Sequence, residues 1–463
     1  MTTGVKARLH PTIFREYDIR GIVGETLFAE DAHALGQAFA SRVGPGGRVA
    51  VGYDGRLSSP QLSSALMAGL VAGGAQVVDI GRGPTPMLYF ASHHLATDGA
   101  MMVTGSHNPP SHNGLKMMLR GKPFFGPDIK DLGVRAAAAA TAGQAGGRES
   151  RDVSAAYLAK LLTEAPAGRP LTVVWDPGNG ATGDIVTRLT AALPGRHVLI
   201  NETIDGHFPA HHPDPTDPHT LEQLIARVAA EGADLGIAFD GDGDRIGVID
   251  GKGRILWGDQ ILMLLAEEVL ANQPGAPIMA DVKASKALFD RIAQLGGKPV
   301  MWKTGHSLIK TRMAELKVPL AGEMSGHIFF ADRYFGFDDA IYAAIRLLRL
   351  VAGWQGVSLA DRYDGLPRLL NTPELRFDCA DEVKFKVVAE VRDRLKGGPG
   401  AVDDLDGVRV THADGWWLLR SSNTQAVLVA RAEGEDEAAL GRMKAELAQH
   451  LKAAGVPVPP GIL

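Results

Sequence analysis

A short apolar run that feeds a helix through small, polar turn residues occurs three times in this 463-residue chain, and that repetition limits the fold more than any other feature. VAVGYDGRLSS (49–59) leads into SSPQLSSALMAGLVAGG (58–74), LTVVWDPGNGATG (171–183) into DIVTRLTAAL (184–193), and PIMADV (277–282) into KASKALFDRIAQLGG (283–297). Each unit has a second strand-like run, AQVVDIG (75–81), RHVLIN (196–201) and KPVMWK (298–303), and a third, GAMMV (99–103), ADLGIAF (233–239) and VPLAG (318–322). Strands alternating with helices predict an α/β chain of mixed, mostly parallel sheets covered on both faces. Three such domains are expected at 1–150, 151–253 and 254–366. A smaller α+β domain is expected at 367–463, after the breaker-rich YDGLPRLLNTPE (363–374). There EVKFKVVAEVRDRL (382–395) and GVRVTHADGWWLLRSSNTQAVLVARAE (407–433) read as adjacent strands turning at ADG and SSNTQ, and EDEAALGRMKAELAQHL (435–451) as a helix. RAAAAATAGQAGG (135–147) reads as a helix end plus linker.

The third strands share a second property. The first ends in TGSHNPP (104–110), the second in DGDGDR (240–245) and the third in GEMSGH (322–327). Ligands of open α/β sheets bind beyond the carboxyl ends of strands, so the three least ordinary motifs stand where a ligand is expected.

Asp240, Asp242 and Asp244 alternate with glycines. If extended, their carboxylates share one side and repel unless a hard divalent cation lies between them. An EF-hand is excluded, because its positions 6 and 12, Gly and Glu in that loop, are here Arg245 and Gly251. Ser106 stands on a loop stiffened by two prolines. G-x-S-x-G does not describe it; beside a magnesium-type site, a fixed hydroxyl suits phosphoryl transfer. Glu323, Ser325 and His327, again at alternate positions, offer a carboxylate and a hydroxyl for sugar hydroxyls. Arg420, Ser421, Ser422, Asn423 and Thr424 form a polar turn able to cradle phosphate. Arg15, Arg20, Lys116, Lys283 and His306 are further cations near these motifs. His211 and His212, in the Pro-rich FPAHHPDPTDP (208–218), read as loop residues rather than metal ligands.

Composition narrows the setting. A net charge of −5 leaves no basic footprint for nucleic acid. Cys379 is the single cysteine, so no intrachain disulfide forms. The N-terminus lacks the apolar core of a signal peptide, and no 18-residue apolar run predicts a membrane span. The expected setting is the cytoplasm.

Together and in order, TGSHNPP, DGDGDR, GEMSGH and RSSNTQ resemble the four active-site loops of the α-D-phosphohexomutase superfamily. FREYDIRG (14–21) and GHIFFADRYFGFDDA (326–340) are similar to its bacterial phosphomannomutase/phosphoglucomutase branch. The resemblance spans essentially the whole chain and implies that the four domains stand around a central cleft. It implies reversible conversion of hexose 1-phosphate to hexose 6-phosphate through a phosphoserine enzyme and a hexose 1,6-bisphosphate, with mannose and glucose both accepted. It implies phosphorylation at Ser106, and Mg²⁺ held by Asp240, Asp242, Asp244 and the phosphoserine. Arg245 would orient the serine loop, and Glu323 and Ser325 would grip the sugar. Arg420, Ser422, Asn423 and Thr424 would hold the unreacting phosphate. Arg20, Lys116 and His327 are acid/base and positioning candidates, and Tyr17, Lys283 and His306 further substrate contacts. His327 suits a base near its usual pKa, Lys116 only if its pKa is depressed. Gly105, Ser421 and Gln425 depart from residues frequent in that family. The alternatives are a phosphoglucosamine mutase, a Mg²⁺-dependent sugar phosphatase and an inactive sugar-phosphate sensor. The expected partners are small hexose phosphates, neither nucleic acid nor membrane, for a monomer or homodimer.

Overall fold

A computed structural model describes residues 7–138, 144–398, 400–423 and 425–462. Part of 135–147 and, from the phosphate loop, Thr424 therefore lie outside the described residues. Four sheets follow one another along the chain. In the first, strands Arg48–Tyr53, Gln76–Arg82 and Gly99–Val103 run parallel. In the second, Leu171–Asp176, Gly195–Leu199 and Leu235–Phe239 do so, and in the third Pro277–Asp281, Lys298–Trp302 and Leu320–Gly322. The helices between them, Ser59–Ala72, Gly183–Thr190 and Lys286–Gln294, begin where the turn residues predict.

What the alternation of strands and helices does not announce is the return of the chain after each third strand. Gly99–Val103 pairs antiparallel with His112–Leu119, Leu235–Phe239 with Ile246–Asp250, and Leu320–Gly322 with Ile328–Phe330. In the fourth sheet Gly415–Ser421 pairs antiparallel with Val427–Gly434. All four motifs are therefore hairpin tips; the first three sheets are mixed and the fourth is antiparallel throughout.

In the last domain, residues 381–394 are not a strand but the helix Asp381–Arg394. The alternation in VKFKVV competes with a better solution. Lys384, Val387, Val388 and Val391 bury one helical face, with Asp381 and Glu382 in the first turn and Arg392 and Arg394 in the last, as the helix dipole favours. The helix Glu437–Ala453 forms as read.

The first three domains share one apolar core. It runs from Val78 and Phe90 through Trp175, Ile237 and Leu262 to Ile345 and Leu366. The fourth has its own, around Trp417, Leu428 and Leu447, and meets the third through Val282, Trp416 and Leu418.

Candidate active site

The aspartate loop is a tight turn rather than an extended strand. Gly243 sits at φ +79°, where glycine carries no Cβ penalty. The turn wraps around Asp240, whose Oδ1 accepts the backbone N–H groups of Gly243 (2.9 Å), Asp244 (3.1 Å) and Arg245 (3.2 Å). The expected convergence is met by this winding and not by strand alternation: oxygens of Asp240, Asp242 and Asp244 lie within 4.8 Å of one another, all fully buried. Asp242 Oδ2 accepts from Thr85, Thr104 and Lys116, whereas Asp242 Oδ1 is buried with no hydrogen-bond partner. A buried carboxylate oxygen left without a donor is costly, and three converging carboxylates fit a divalent cation.

Ser106 is 2% exposed and holds φ +50°, an unusual conformation for a residue with a side chain. Its Oγ donates to Asp240 Oδ2 at 2.7 Å and lies 3.2 Å from His107 Nδ1. The first two hairpin tips thus meet at the serine. Burial, Arg245 and Arg20 push the His107 imidazole well below its ordinary pKa. Sequence reading passed over His107, although its place beside Ser106 was a sufficient signal. Arg20 donates to the carbonyl of Gly105 at 3.0 Å and pairs with Asp18.

The sugar-loop motif also closes by a turn. Gly326 has φ +90°, and a Cβ there would fall 2.5 Å from the carbonyl oxygen of Ile246. His327 Nδ1 lies 3.0 Å from Glu323 Oε2 and 3.1 Å from Ser325 Oγ, so the turn gathers all three residues. Its Nε2 lies 3.3 Å from Asp244 Oδ1, and Arg245 and His327 form a backbone bridge between the second and third domains. Burial opposes the His327 charge, but Asp244 and Glu323 outweigh it and hold its pKa at about 9. Lys116 is pushed well above its ordinary value: burial opposes its charge, and Asp242 and Asp244 prevail. In this arrangement the neighbouring carboxylates favour the charged form of both groups. His306, buried beside Lys310 and Lys116, is held neutral instead.

Tyr17, from the first domain, donates to the carbonyl of Thr304 at 2.8 Å and accepts from Asn423 at 2.7 Å. Arg420 makes two bonds to Asp406, at 3.1 and 3.3 Å, and Asp406 also accepts the N–H of Thr304. Lys283 donates to Glu374 at 2.8 Å. The carbonyls of Ser422 and Gln425 both accept from the buried Lys384, at 2.6 and 2.8 Å. Glu374, Asp406 and Lys384 were not singled out from sequence, because single charges in ordinary surroundings carry no local signal. His211 pairs with Asp176 at 2.9 Å, and the neighbouring Asp214 lies 3.8 Å from Arg245.

A buried serine bonded to a carboxylate triad fit for a cation, with a polar loop of a separate domain bonded to Tyr17 of the first, defines a multidomain α/β phosphoryl-transfer enzyme. Family models confirm the class and sharpen it: phosphoglucomutase/phosphomannomutase alpha/beta/alpha domains I, II and III match residues 11–141, 155–253 and 257–369, and the C-terminal domain of that family matches 374–450. The chain belongs to the phosphoglucomutase/phosphomannomutase family. It is 44% identical to the phosphomannomutase/phosphoglucomutase of Pseudomonas aeruginosa over 99% of this chain and 100% of that protein. It is 40% identical to the phosphoglucomutase of Neisseria gonorrhoeae over 93% of this chain and 95% of that one. A crystal structure of a phosphoglucomutase/phosphomannomutase family protein from Burkholderia thailandensis superposes with TM-score 0.91 at 43% identity, covering 97% of this chain and 99% of that one.

Proposed function

We propose that this enzyme interconverts hexose 1-phosphate and hexose 6-phosphate, with both mannose and glucose as the sugar, and that Ser106 carries the travelling phosphoryl group. The observation that carries the reading is the meeting of Ser106 Oγ with Asp240 at 2.7 Å inside a fully buried carboxylate triad. Asp240, Asp242 and Asp244 would hold Mg²⁺, which would offset charge on the phosphoryl oxygens. Phosphoserine gives its phosphoryl group to the free hydroxyl of the bound hexose phosphate. As the serine Oγ–P bond breaks, the serine oxygen takes up a proton, the sugar hydroxyl gives up its own in exchange, and a hexose 1,6-bisphosphate forms. That molecule turns over in the cleft and returns its other phosphate to Ser106. Trace bisphosphate activates an enzyme that has lost its phosphate.

The chain's own side chains divide the remaining work. Glu323 and Ser325 grip hydroxyls near the middle of the ring, so that both orientations are held and the epimers at C2 are both accepted. Arg420, Ser422, Asn423 and Thr424 hold the unreacting phosphate, with Tyr17, Lys283 and His306 around the sugar. Lys116 and His327, protonated at neutral pH, orient the phosphoryl oxygens and return a proton to the serine oxygen or the departing hydroxyl. Arg20 and Arg245 hold the serine and aspartate loops together. The phosphate loop on a separate domain favours a mutase over a phosphatase, which has no need to hold a second phosphate. The same reading places domain boundaries near residues 150, 253 and 366 and the enzyme in the cytoplasm, as a monomer or homodimer.

The test is a ³¹P NMR time course with Mg²⁺ and mannose 1-phosphate or glucose 1-phosphate, seeded with glucose 1,6-bisphosphate. Growing 6-phosphate signals from both sugars, lost in Ser106→Ala, are expected. Inorganic phosphate in their place would replace the mutase reading with a phosphatase.

A further inference from the structure

Beneath the serine loop lies an arginine that the reaction scheme above does not use. Arg56 follows the strand Arg48–Tyr53, and its side chain is 0% exposed. Its Nη1 donates to the carbonyls of Pro109 (2.6 Å) and His112 (3.0 Å), and its Nη2 to those of Ser106 (2.7 Å) and Asn108 (2.5 Å). Its Nε is 3.2 Å from Asp54 Oδ2. The same Asp54 oxygen accepts the N–H of Gly105 (3.0 Å) and the hydroxyl of Thr104 (2.9 Å). The guanidinium stands 5.2 Å from the ring of Phe208, in the second domain. A Cβ at position 105 would lie 2.4 Å from Arg56 Nε, so Gly105 leaves the space that the guanidinium fills.

We propose that Arg56 is the positioning residue of the phosphoryl-carrying loop: by holding four of its carbonyl oxygens below, it keeps them away from the phosphoryl group above. This rests on the mutase reading. A carbonyl oxygen turned toward a phosphate dianion repels it, whereas an arginine fork satisfies several acceptors at once in fixed directions. Without a cation beneath them, four converging carbonyl dipoles repel one another and the loop turns. The left-handed φ of Ser106 is the conformation this pull maintains. Arg56 touches neither the aspartate triad nor the sugar and phosphate loops, so its loss acts on transfer and not on substrate capture. Lysine keeps the charge but reaches fewer carbonyls.

The experiment compares the native chain with Arg56→Met, Arg56→Lys and Asp54→Asn. It measures kcat, KM for glucose 1-phosphate, and hydrogen exchange of the peptide 104–112. In Arg56→Met, kcat falls by about a hundredfold, the scale of a misplaced reacting group, while KM stays within about twofold and exchange in the peptide rises. Arg56→Lys restores part of kcat. A folded Arg56→Met with native kcat, or one whose KM rises as kcat falls, overturns the proposal. If that variant does not fold, Asp54→Asn decides: native kcat overturns it, and a lower kcat at constant KM supports it. If the native chain shows no mutase turnover, the mutase reading falls by itself. The exchange data then decide the role of Arg56, and unchanged exchange at 104–112 rejects it.

Discussion

A carboxyl group shut away from water takes its charge state from its neighbours, and Asp339 shows the consequence for stability. It caps the helix Ala340–Gly353 through the N–H of Tyr342 at 2.9 Å and accepts the hydroxyls of Tyr157 (2.8 Å) and Tyr334 (2.6 Å). Burial lifts its pKa from 3.8 to about 6, against the lowering effect of those bonds. The folded protein therefore holds this proton at pH values where the unfolded chain has released it. The stabilisation, about 3 kcal/mol, is complete below pH 4 and is lost as pH rises through 6. The Tm of Asp339→Asn, which has no proton to lose, should gain on that of the native chain between about pH 4.5 and about pH 7. A constant gap would mean that Asp339 is ionised throughout. At this scale the sequence reading succeeded where residue type and clustering coincide, as in Asp240, Asp242 and Asp244. It missed Arg56, Asp54 and Lys384, because their work is done on backbone groups 50, 51 and 38 positions away, at Ser106, Gly105 and Ser422, and such bonds leave no local pattern.

Among the elements, the hairpin tip is the unit that carries chemistry. Two antiparallel strands fix both ends of a loop, so a few side-chain anchors settle its path. In the fourth domain the anchor is Lys384, on the helix Asp381–Arg394. A buried charged donor of this kind is worth about 1.5–3 kcal/mol. If the loop it holds binds the unreacting phosphate as proposed, Lys384→Met should raise KM for hexose phosphates by about tenfold, the scale of one such bond, and lower kcat much less. Steady-state kinetics check this, and a fall in kcat at constant KM would place the loop in the transfer step instead. The parallel strands were legible because apolar runs, turn residues and helix starts repeat in order. The returning strands were not: HNGLKMML (112–119) neither alternates nor forms an unbroken apolar run. Residues 381–394 misled for the opposite reason, a short strand-like alternation overruled by burial of a valine face.

On the scale of the whole molecule, the contrast lies between three domains that share a core and a fourth that has a core of its own, tied to the third by Arg409, Arg431 and Glu433. The aspartate loop is bonded to both neighbours, through Thr85 and Asp242 at 2.8 Å and through Ala340 and Gly243 at 3.3 Å. The fourth domain reaches the first through Asn423 and Tyr17. Closure of the cleft should therefore be a movement of the fourth domain against a rigid remainder. Small-angle scattering should show a smaller radius of gyration with glucose 1-phosphate bound than without, and Tyr17→Phe should enlarge the free form. An unchanged radius in every case would mean that the cleft does not open. The shared core has a further consequence, for ancestry. Because Trp175, Leu262 and Ile345 belong to one continuous apolar body, recombination that exchanged any one of the first three domains would have to match two foreign surfaces at once. Only the last domain brings a separate core of its own, so drift in substrate preference is expected to arrive through it.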